Sequence, residues 1–262
     1  MLGALVALTL SCAPGDGEVV LACTTSVEDT GLLDALLPAF RKAHPGHAVK
    51  VLAVGSGEAL ALGQRGDADI VIAHSPEAEA RFMAAGAGRR RTALMTNDFV
   101  IVGPPDDPAR IRGRYLMPAM RVLATAGEPF VSRGDDSGTH ARELSLWKLA
   151  GVAPDTAGGW YMPVGQGQAE ALRIASERQA YTLTDRATFR ALYDRLELDV
   201  MVEGEEPLEN VYSVITTTAG RNYEGADALA RWLLGEQARS LIAEFGRERF
   251  GASLFQPRTT GS

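Results

Sequence analysis

Short apolar runs alternate along the chain with segments whose hydrophobic residues recur at helical spacing. Residues 19–22 and 70–73 are uninterrupted apolar runs of strand length, which is typical of strands buried on both faces. Residues 29–43 carry leucines and a phenylalanine along one helical face. The alternation predicts an α/β fold in which helices cover a parallel sheet. The other predicted strands are 49–54, 99–102, 129–132, 180–184, 200–203 and 211–216, and the other predicted helices are 58–64, 76–85, one that ends near 150, 165–178, 187–195 and 225–245.

The N-terminus has the composition of a processing signal. Residues 1–10 are apolar apart from Thr9, and Ser11 and Cys12 follow before a polar linker. The run is too short to span a bilayer, whereas a secretory leader that ends at an acylated cysteine has this order of residues. No basic residue precedes the run. We expect residues 1–17 to be a leader and linker, with Cys12 as the candidate lipid anchor.

Composition narrows the class of protein. Of the 262 residues, 46% are hydrophobic and 23% are charged, which are ordinary values for a globular protein and exclude a coiled coil or wholesale disorder. The net charge of −7 argues against generic nucleic-acid binding, and on its own it disfavours an anionic ligand. Two cysteines exclude a disulfide scaffold. Of four histidines, His44 and His47 are closely spaced, but they bracket a turn and predict no metal site.

Three predicted strands end in small hydroxyl residues or glycine immediately before a predicted helix. These loops are residues 24–26, 55–57 and 132–139. A helix N-terminus presents unpaired N–H groups and a partial positive charge, and such loops converge at the carboxyl ends of parallel strands. Serine and threonine are also ordinary helix caps, so one loop alone predicts little. Three converging loops predict a site for an oxyanion that needs few basic side chains.

The third loop adds a basic residue. Arg133 follows an apolar strand and precedes Ser137, Gly138 and Thr139 in the same turn. An arginine at this position can direct its fork of N–H donors toward the same point as the hydroxyl groups. We therefore interpret this loop as the part of the site that carries the positive charge.

Segment 129–140 reads Pro-Phe-Val-Ser-Arg-Gly-Asp-Asp-Ser-Gly-Thr-His, and it resembles the signature of the tungstate-binding proteins of ABC transporters, the TupA type. The resemblance spans about residues 19–215. Two residues depart from the family pattern: Cys23 stands where a threonine is usual, and Gln168 stands where a methionine is common. Further matching stretches lie at 23–26, 29–33, 54–60, 66–69, 74–79, 97–104, 165–167 and 181–186.

The resemblance implies a two-lobed periplasmic-binding-protein fold of type II, with parallel-rich sheets and two crossing strands near Phe99 and Val211. Lobe 1 would contain residues 18–96 and 212–262, and lobe 2 would contain residues 97–211. A protein of this kind is a solute-binding component and not an enzyme, and it needs no cofactor.

The resemblance also implies the residues that hold the anion. Lobe 1 would donate hydrogen bonds from its first two loops, and lobe 2 would close on the anion from the third loop. The family's preference for tungstate over molybdate is attributed to the arginine, which is Arg133 here. Cys23 would lie at the mouth of the site. The implied ligand-binding residues are Thr25, Ser26, Ser56, Gly57, Arg133, Ser137, Gly138 and Thr139.

Phosphate is the alternative ligand. Tungstate, molybdate and sulfate only accept hydrogen bonds near neutral pH, whereas phosphate keeps a proton and needs an acceptor. Phosphate-binding proteins have a related Arg-x-Asp-x-Ser-Gly-Thr segment, and Arg133 and Asp135 fit that spacing as well. A serine hydrolase is a weaker hypothesis, because Ser137 and His140 lie three residues apart at one helix start and no nucleophile elbow is present.

The expected partners follow from the same resemblance. The ligand would be tungstate, or molybdate, and the closed protein would dock on the membrane permease of an ABC transporter. We expect a periplasmic or otherwise extracytoplasmic location, a monomer, and no contact with nucleic acid.

Overall fold

The computed structural model describes residues 17–155 and 158–258. The predicted leader, including Cys12, lies outside the described residues, except that Gly17 begins the first strand. Ten strands among the described residues form one sheet in the order β2-β1-β3-β9-β4-β7-β5-β6, with β8 and β10 also paired to β4. The strands are β1 (Gly17–Thr24), β2 (His47–Val54), β3 (Ile70–Ala73), β4 (Gly88–Gly103), β5 (Phe130–Ser132), β6 (Tyr161–Pro163), β7 (Tyr181–Asp185), β8 (Asp199–Val202), β9 (Glu209–Thr217) and β10 (Gln256–Pro257).

The helices lie on both faces of this sheet. They are α1 (Thr25–Thr30), α2 (Leu32–Ala43), α3 (Ser56–Arg65), α4 (Pro76–Ala84), α5 (Leu116–Ala126), α6 (Gly138–Leu149), α7 (Gln168–Arg178), α8 (Arg186–Leu192), α9 (Tyr223–Leu233), α10 (Glu236–Glu244) and α11 (Arg247–Phe250). Short 3-10 turns occupy Tyr193–Arg195 and Glu206–Leu208.

In the first half of the sheet, β1 lies between β2 and β3 and is parallel to both. Side chains that alternate along β1 enter two different cores because successive residues of a strand face opposite ways. Leu21 and Cys23 pack with α2, α9 and α10 on one face. Ala22 packs with α3 and α4 on the other face. The apolar run predicted from the sequence is therefore buried on both sides.

The second half of the sheet repeats this arrangement. β5 lies between β6 and β7 and is parallel to both. Phe99 and Ile101 of β4 pack with α5 and α6 on one face, and Val100 and Val102 pack with α7 and α8 on the other. Each half is therefore a small parallel sheet between two layers of helices, as the resemblance implied.

Two long antiparallel strands join the halves. β4 pairs with β9 over its first part, where Asn97 lies opposite Asn210, and its last residues pair with β7, where Phe99 lies opposite Asp185. This topology confirms the predicted α/β class and the two crossing strands. The lobe boundaries at 96/97 and 211/212 fall inside these strands and stay a prediction.

Several elements differ from the sequence-based expectation. The helix predicted over 29–43 is two helices, because Gly31 adopts a left-handed φ of 78°. β4 begins eleven residues before the predicted strand 99–102 because its polar start, which includes Arg89, Arg90 and Arg91, pairs along β9 despite lacking an apolar pattern. Helix α5 was not predicted. Pro118 lies in its first turn, where proline is tolerated.

The C-terminal helix predicted over 225–245 is also two helices, α9 and α10. Leu234 and Gly235 separate them, and Gly235 has the extended backbone of an N-cap. Over the residues that the structure describes, no helix has the length and apolar character needed to cross a membrane.

Candidate functional site

The second and third predicted loops meet at the carboxyl ends of their strands. A Cβ placed on Gly138 would lie 2.9 Å from Ser56 Oγ and 2.9 Å from the carbonyl oxygen of His74. A Cβ on Gly57 would lie 3.3 Å from the carbonyl oxygen of Asp136. Gly138 therefore permits a close approach of the α6 start to the α3 start that no larger residue would allow.

Both helix starts keep backbone N–H groups that are not used within their helices. The first intrahelical bond of α3 runs from the Ala59 amide to the Gly55 carbonyl, and that of α6 runs from the Ala141 amide to the Ser137 carbonyl. The amides of Ser56 and Gly57, and likewise those of Gly138 and Thr139, precede these bonds. The two starts thus direct donors and partial positive charge toward the space between them.

The hydroxyl groups in these loops are arranged as donors. Ser56 Oγ accepts a bond from the His74 amide at 3.3 Å, and Ser137 Oγ accepts one from the His140 amide at 3.2 Å. A hydroxyl oxygen that already accepts turns its own hydrogen toward another acceptor. Thr139 Oγ1 is buried and has no partner among the described residues.

The first loop places Ser26 in the interior of the molecule and Thr25 beside it, half-buried. Ser26 Oγ lies 3.2 Å from Thr24 Oγ1 and 3.3 Å from Tyr212 Oη. The helix that this loop begins, α1, packs against α7 and α8 of the other half. The first loop therefore lies beside the second half of the sheet.

Arg133 is almost completely buried, with 2% of its surface exposed. Its Nη2 donates to Asp135 Oδ2 at 2.5 Å, its Nε to the Gln166 carbonyl at 3.3 Å, and its Nη1 to Gln168 Oε1 at 3.5 Å. A guanidinium has five N–H groups, so two remain for a ligand. Gly134 follows with φ 60°, and a Cβ there would lie 2.8 Å from Pro163 Cβ. This turn therefore requires glycine.

Asp135 orients this loop. Its Oδ2 accepts from Arg133, and its Oδ1 accepts from the Ser137 amide at 3.2 Å. Both carboxylate oxygens are thus engaged by protein donors. The aspartate that fits the phosphate-type spacing holds the arginine and the α6 start together.

Gln168, one of the two departures from the family pattern, contacts the site through Arg133. Its side chain is fully buried, and its Nε2 donates to the Leu183 carbonyl at 3.4 Å while its Oε1 accepts from Arg133. The sequence marked this position only as a difference. In the structure it links the arginine to the middle of β7.

Cys23, the other departure, does not lie at the mouth of the site, and that expectation is wrong. Its side chain is fully buried in the core with Leu21 and Val27. Burial, with a smaller effect of Glu28, raises the pKa of the Cys23 thiol to about 12. The thiol therefore behaves as a small apolar side chain. Side chains alternate between the two faces of β1, and the side chain of Cys23 points into the core instead of toward the loop.

Four polar residues near the crossing strands were not assigned a role from the sequence. His74, Asn210 and Tyr212 are buried, Asn97 is partly buried, and the four are linked by hydrogen bonds behind Ser26 and Ser56. His74 and Asn97 fall within stretches that match the family. Asn210 and Tyr212 lie in or beside a predicted strand and carry no local signal. Among the described residues no cluster of His, Cys, Asp and Glu could hold a metal ion.

The two halves, each with a parallel sheet between helices, and the loops at their strand ends have the architecture of a binding protein, and comparison with known proteins agrees. Residues 11–237 match the model of the PBP superfamily domain, the superfamily of periplasmic binding proteins. The match covers most of the chain, which establishes the class.

Individual relatives are more specific. The tungstate-binding protein TupA of Peptoclostridium acidaminophilum is 44% identical over 92% of this chain and 86% of its own length. The structure of the tungstate ABC transporter protein from Geobacter sulfurreducens is 41% identical, covers 88% of this chain and all of that chain, and has a TM-score of 0.79. TupA from Desulfovibrio alaskensis G20 is 38% identical, with coverages of 92% and 98% and a TM-score of 0.76. The chain belongs to the TupA family of tungstate-binding proteins. The members of this family are solute-binding components of ABC transporters and not enzymes.

Proposed function

We propose that this chain captures tungstate between its three loops and delivers it to the permease of an ABC transporter. The observation that carries the proposal is the buried Arg133 guanidinium, which keeps two N–H groups without a partner among the described residues, in the same loop as the Thr139 hydroxyl, which likewise has none there. The relatives named for tungstate support the choice of anion. Molybdate has the same shape and charge and is expected to bind as well.

The donors suit an anion that carries no proton. Ser56 and Ser137 have hydroxyl oxygens that already accept a backbone bond, so their hydrogens are available to a ligand. Tungstate near neutral pH is a dianion that only accepts hydrogen bonds. Charge-assisted bonds to such an anion are about twice as strong as neutral ones. The proposed ligand residues are Thr25, Ser26, Ser56, Gly57, Arg133, Ser137, Gly138 and Thr139.

Phosphate remains the alternative, and the relatives named for tungstate disfavour it. Hydrogen phosphate needs an acceptor for its proton, and Asp135, whose oxygens accept from Arg133 and from the Ser137 amide, keeps a further lone pair on each oxygen. The net charge of −7 does not oppose either anion once it is bound, because the donors are local and buried. The overall charge acts mainly on the rate of encounter.

We further propose that the lobes close over the anion by a hinge at β4 and β9. Lobe 1 would comprise residues 18–96 and 212–262, and lobe 2 residues 97–211. The closed form would dock on the membrane permease as a monomer in an extracytoplasmic compartment. Cys12 is proposed as the lipid anchor.

A panel of anions tests the proposed function. Thermal unfolding of the purified protein is expected to shift upward with tungstate and with molybdate, since a ligand at about 1,000 times its dissociation constant stabilises by roughly 4 kcal/mol. Sulfate and phosphate serve as the comparison anions. A shift with phosphate alone would establish the alternative, and no shift with any anion would reject an oxyanion site.

Substituting Gly138 tests the contact between the two halves. The Gly138→Ala variant is expected to bind tungstate at least about tenfold more weakly, because its Cβ would overlap Ser56 Oγ and the His74 carbonyl as the two halves lie in this structure. Isothermal titration measures the affinity. Gly151→Ala is the control, since a Cβ there meets nothing within 4 Å, although its φ of 72° costs some stability. Unchanged affinity in Gly138→Ala would contradict closure at this contact.

A further inference from the structure

A chain of buried hydrogen bonds joins two of the proposed donors through the crossing strands. Tyr212 Oη lies 3.3 Å from Ser26 Oγ, and Asn210 Nδ2 donates to Tyr212 Oη at 3.1 Å. On its other side Asn210 Oδ1 lies 2.9 Å from His74 Nδ1. The His74 amide in turn donates to Ser56 Oγ. All five side chains are buried.

A backbone amide determines which atoms donate and which accept in this series of hydrogen bonds. The Thr188 amide donates to Asp185 Oδ1 at 2.9 Å, so that oxygen is an acceptor. Asn97 must then present its Nδ2 to Asp185, at 3.2 Å, and its Oδ1 to Asn210. Because Asn97 Oδ1 only accepts, Asn210 must direct Nδ2 toward it, at 2.7 Å. The orientation of both amides therefore follows from one peptide N–H.

The orientation of the Asn210 amide also determines which atoms donate at Tyr212 and His74. Asn210 Nδ2 also points at Tyr212 Oη, which accepts and keeps its own O–H for Ser26 Oγ. Burial raises the pKa of Tyr212 well above its usual range, so the phenol keeps this proton. Burial lowers the pKa of His74 to about 3. His74 is therefore neutral, and its ring proton lies on Nδ1 facing Asn210 Oδ1.

We propose that Tyr212 is a positioning residue that turns the hydroxyl hydrogen of Ser26 toward the bound anion and so selects anions without a proton. This inference rests on the proposed function. Ser56 and Ser137 are oriented by backbone amides, whereas Ser26 receives its bond from a side chain. Thr24 Oγ1, at 3.2 Å, is the alternative acceptor for the Ser26 hydrogen without a ligand.

The proposal gives Tyr212 a role in selectivity. In Tyr212→Phe the ring stays in place but Ser26 Oγ loses the phenol donor, so its hydroxyl is free to rotate and can either donate to an anion or accept the proton of hydrogen phosphate. Tungstate and molybdate affinities are expected to fall together by about tenfold, the effect of one hydrogen bond. Phosphate affinity is expected to stay the same or to rise.

Isothermal titration at pH 8 with tungstate, molybdate and phosphate measures these effects. Tyr181→Phe is the matched control, because Tyr181 is equally buried and its hydroxyl bonds Asp107 and the Ala109 amide away from the site. The control is expected to lose stability and to keep the wild-type affinities. An equal loss for all three anions, or no loss, in Tyr212→Phe would overturn the proposal.

Two further variants test the role independently: the first needs only tungstate affinities, and the second leaves Tyr212 in place. In a Ser26→Ala background, Tyr212→Phe is expected to have no further effect on tungstate affinity. Asn210→Asp keeps the tyrosine, but its introduced carboxylate accepts the Tyr212 proton and is expected to cause the same selective loss. Additive effects in the double variant, or wild-type affinities in Asn210→Asp, would reject the role. If the wild-type protein binds neither tungstate nor molybdate, the proposed function itself fails.

Discussion

Arg133→Ala is expected to weaken tungstate binding by roughly a hundredfold to a thousandfold, with the ligand-free protein still folded. Truncating one partner of a buried, hydrogen-bonded charge pair costs about 2–5 kcal/mol in binding. Arg133 offers a charge and two uncommitted N–H groups from a side chain that is only 2% exposed. Isothermal titration measures the affinity, and circular dichroism measures the fold.

The control for Arg133 is another ion-paired arginine of the same half. Arg112 donates to Asp199 at 3.0 Å and to the Pro105 carbonyl at 3.1 Å, on the surface and away from the loops. Arg112→Ala is expected to leave tungstate affinity unchanged. If Arg133→Ala does not fold, Arg133 serves to neutralise Asp135 in the structure. A folded Arg133→Ala protein with wild-type affinity would remove the arginine from the proposed site.

Glu143→Gln is expected to raise the free energy of unfolding by roughly 3 kcal/mol above pH 7. Burial raises the pKa of Glu143 to about 7 from 4.5, although Tyr161, Ser132 and Trp147 donate hydrogen bonds that lower it. A folded pKa above the unfolded value gives stability that is complete below pH 4.5 and lost as pH rises through 7. The neutral amide of the variant does not titrate. Urea unfolding at pH 5 and pH 8 measures the difference.

A second buried glutamate provides a control of opposite sign. Glu79 is fully buried, but its carboxylate accepts from Arg91 Nε at 2.7 Å and from the Ser75 amide at 2.8 Å. Glu79→Gln removes the charge that Arg91 pairs with and is expected to destabilise by about 1–3 kcal/mol. If both substitutions change the free energy of unfolding equally at both pH values, ionised Glu143 does not destabilise the folded protein.

The sequence predicted the parts of the site that depend on local order. A strand end, a hydroxyl or glycine loop and a helix start are adjacent along the chain at Ser26, Ser56 and Ser137. The local structure of each segment can therefore be predicted from its own residues. The loops that follow parallel strands lie at the same edge of the sheet. The α/β class and the crossing strands followed from the same reasoning and from the family resemblance.

The parts that could not be predicted depend on long-range contacts. Tyr212 and Ser26 are 186 residues apart, and nothing near Tyr212 in the sequence distinguishes a site-facing phenol from a core residue. Gln168 appeared only as a departure, because its bond to Arg133 crosses from α7 to the third loop. The error at Cys23 arose from the strand alternation, which sends its thiol into the core while its neighbour Thr24 contacts Ser26.

The position of β9 between β3 and β4 has a consequence for how the chain acquires its structure. Ile70 pairs with Thr216, and Ile72 pairs with Val214, so the first half of the sheet is complete only when the chain has reached residue 217, whereas the strands of the second half all lie within residues 99–202. Topologies dominated by such distant pairings fold slowly, because the loop entropy is lost before the contacts form. The first half of the sheet therefore stays incomplete through most of synthesis, and an incompletely folded chain is what threading across a membrane requires.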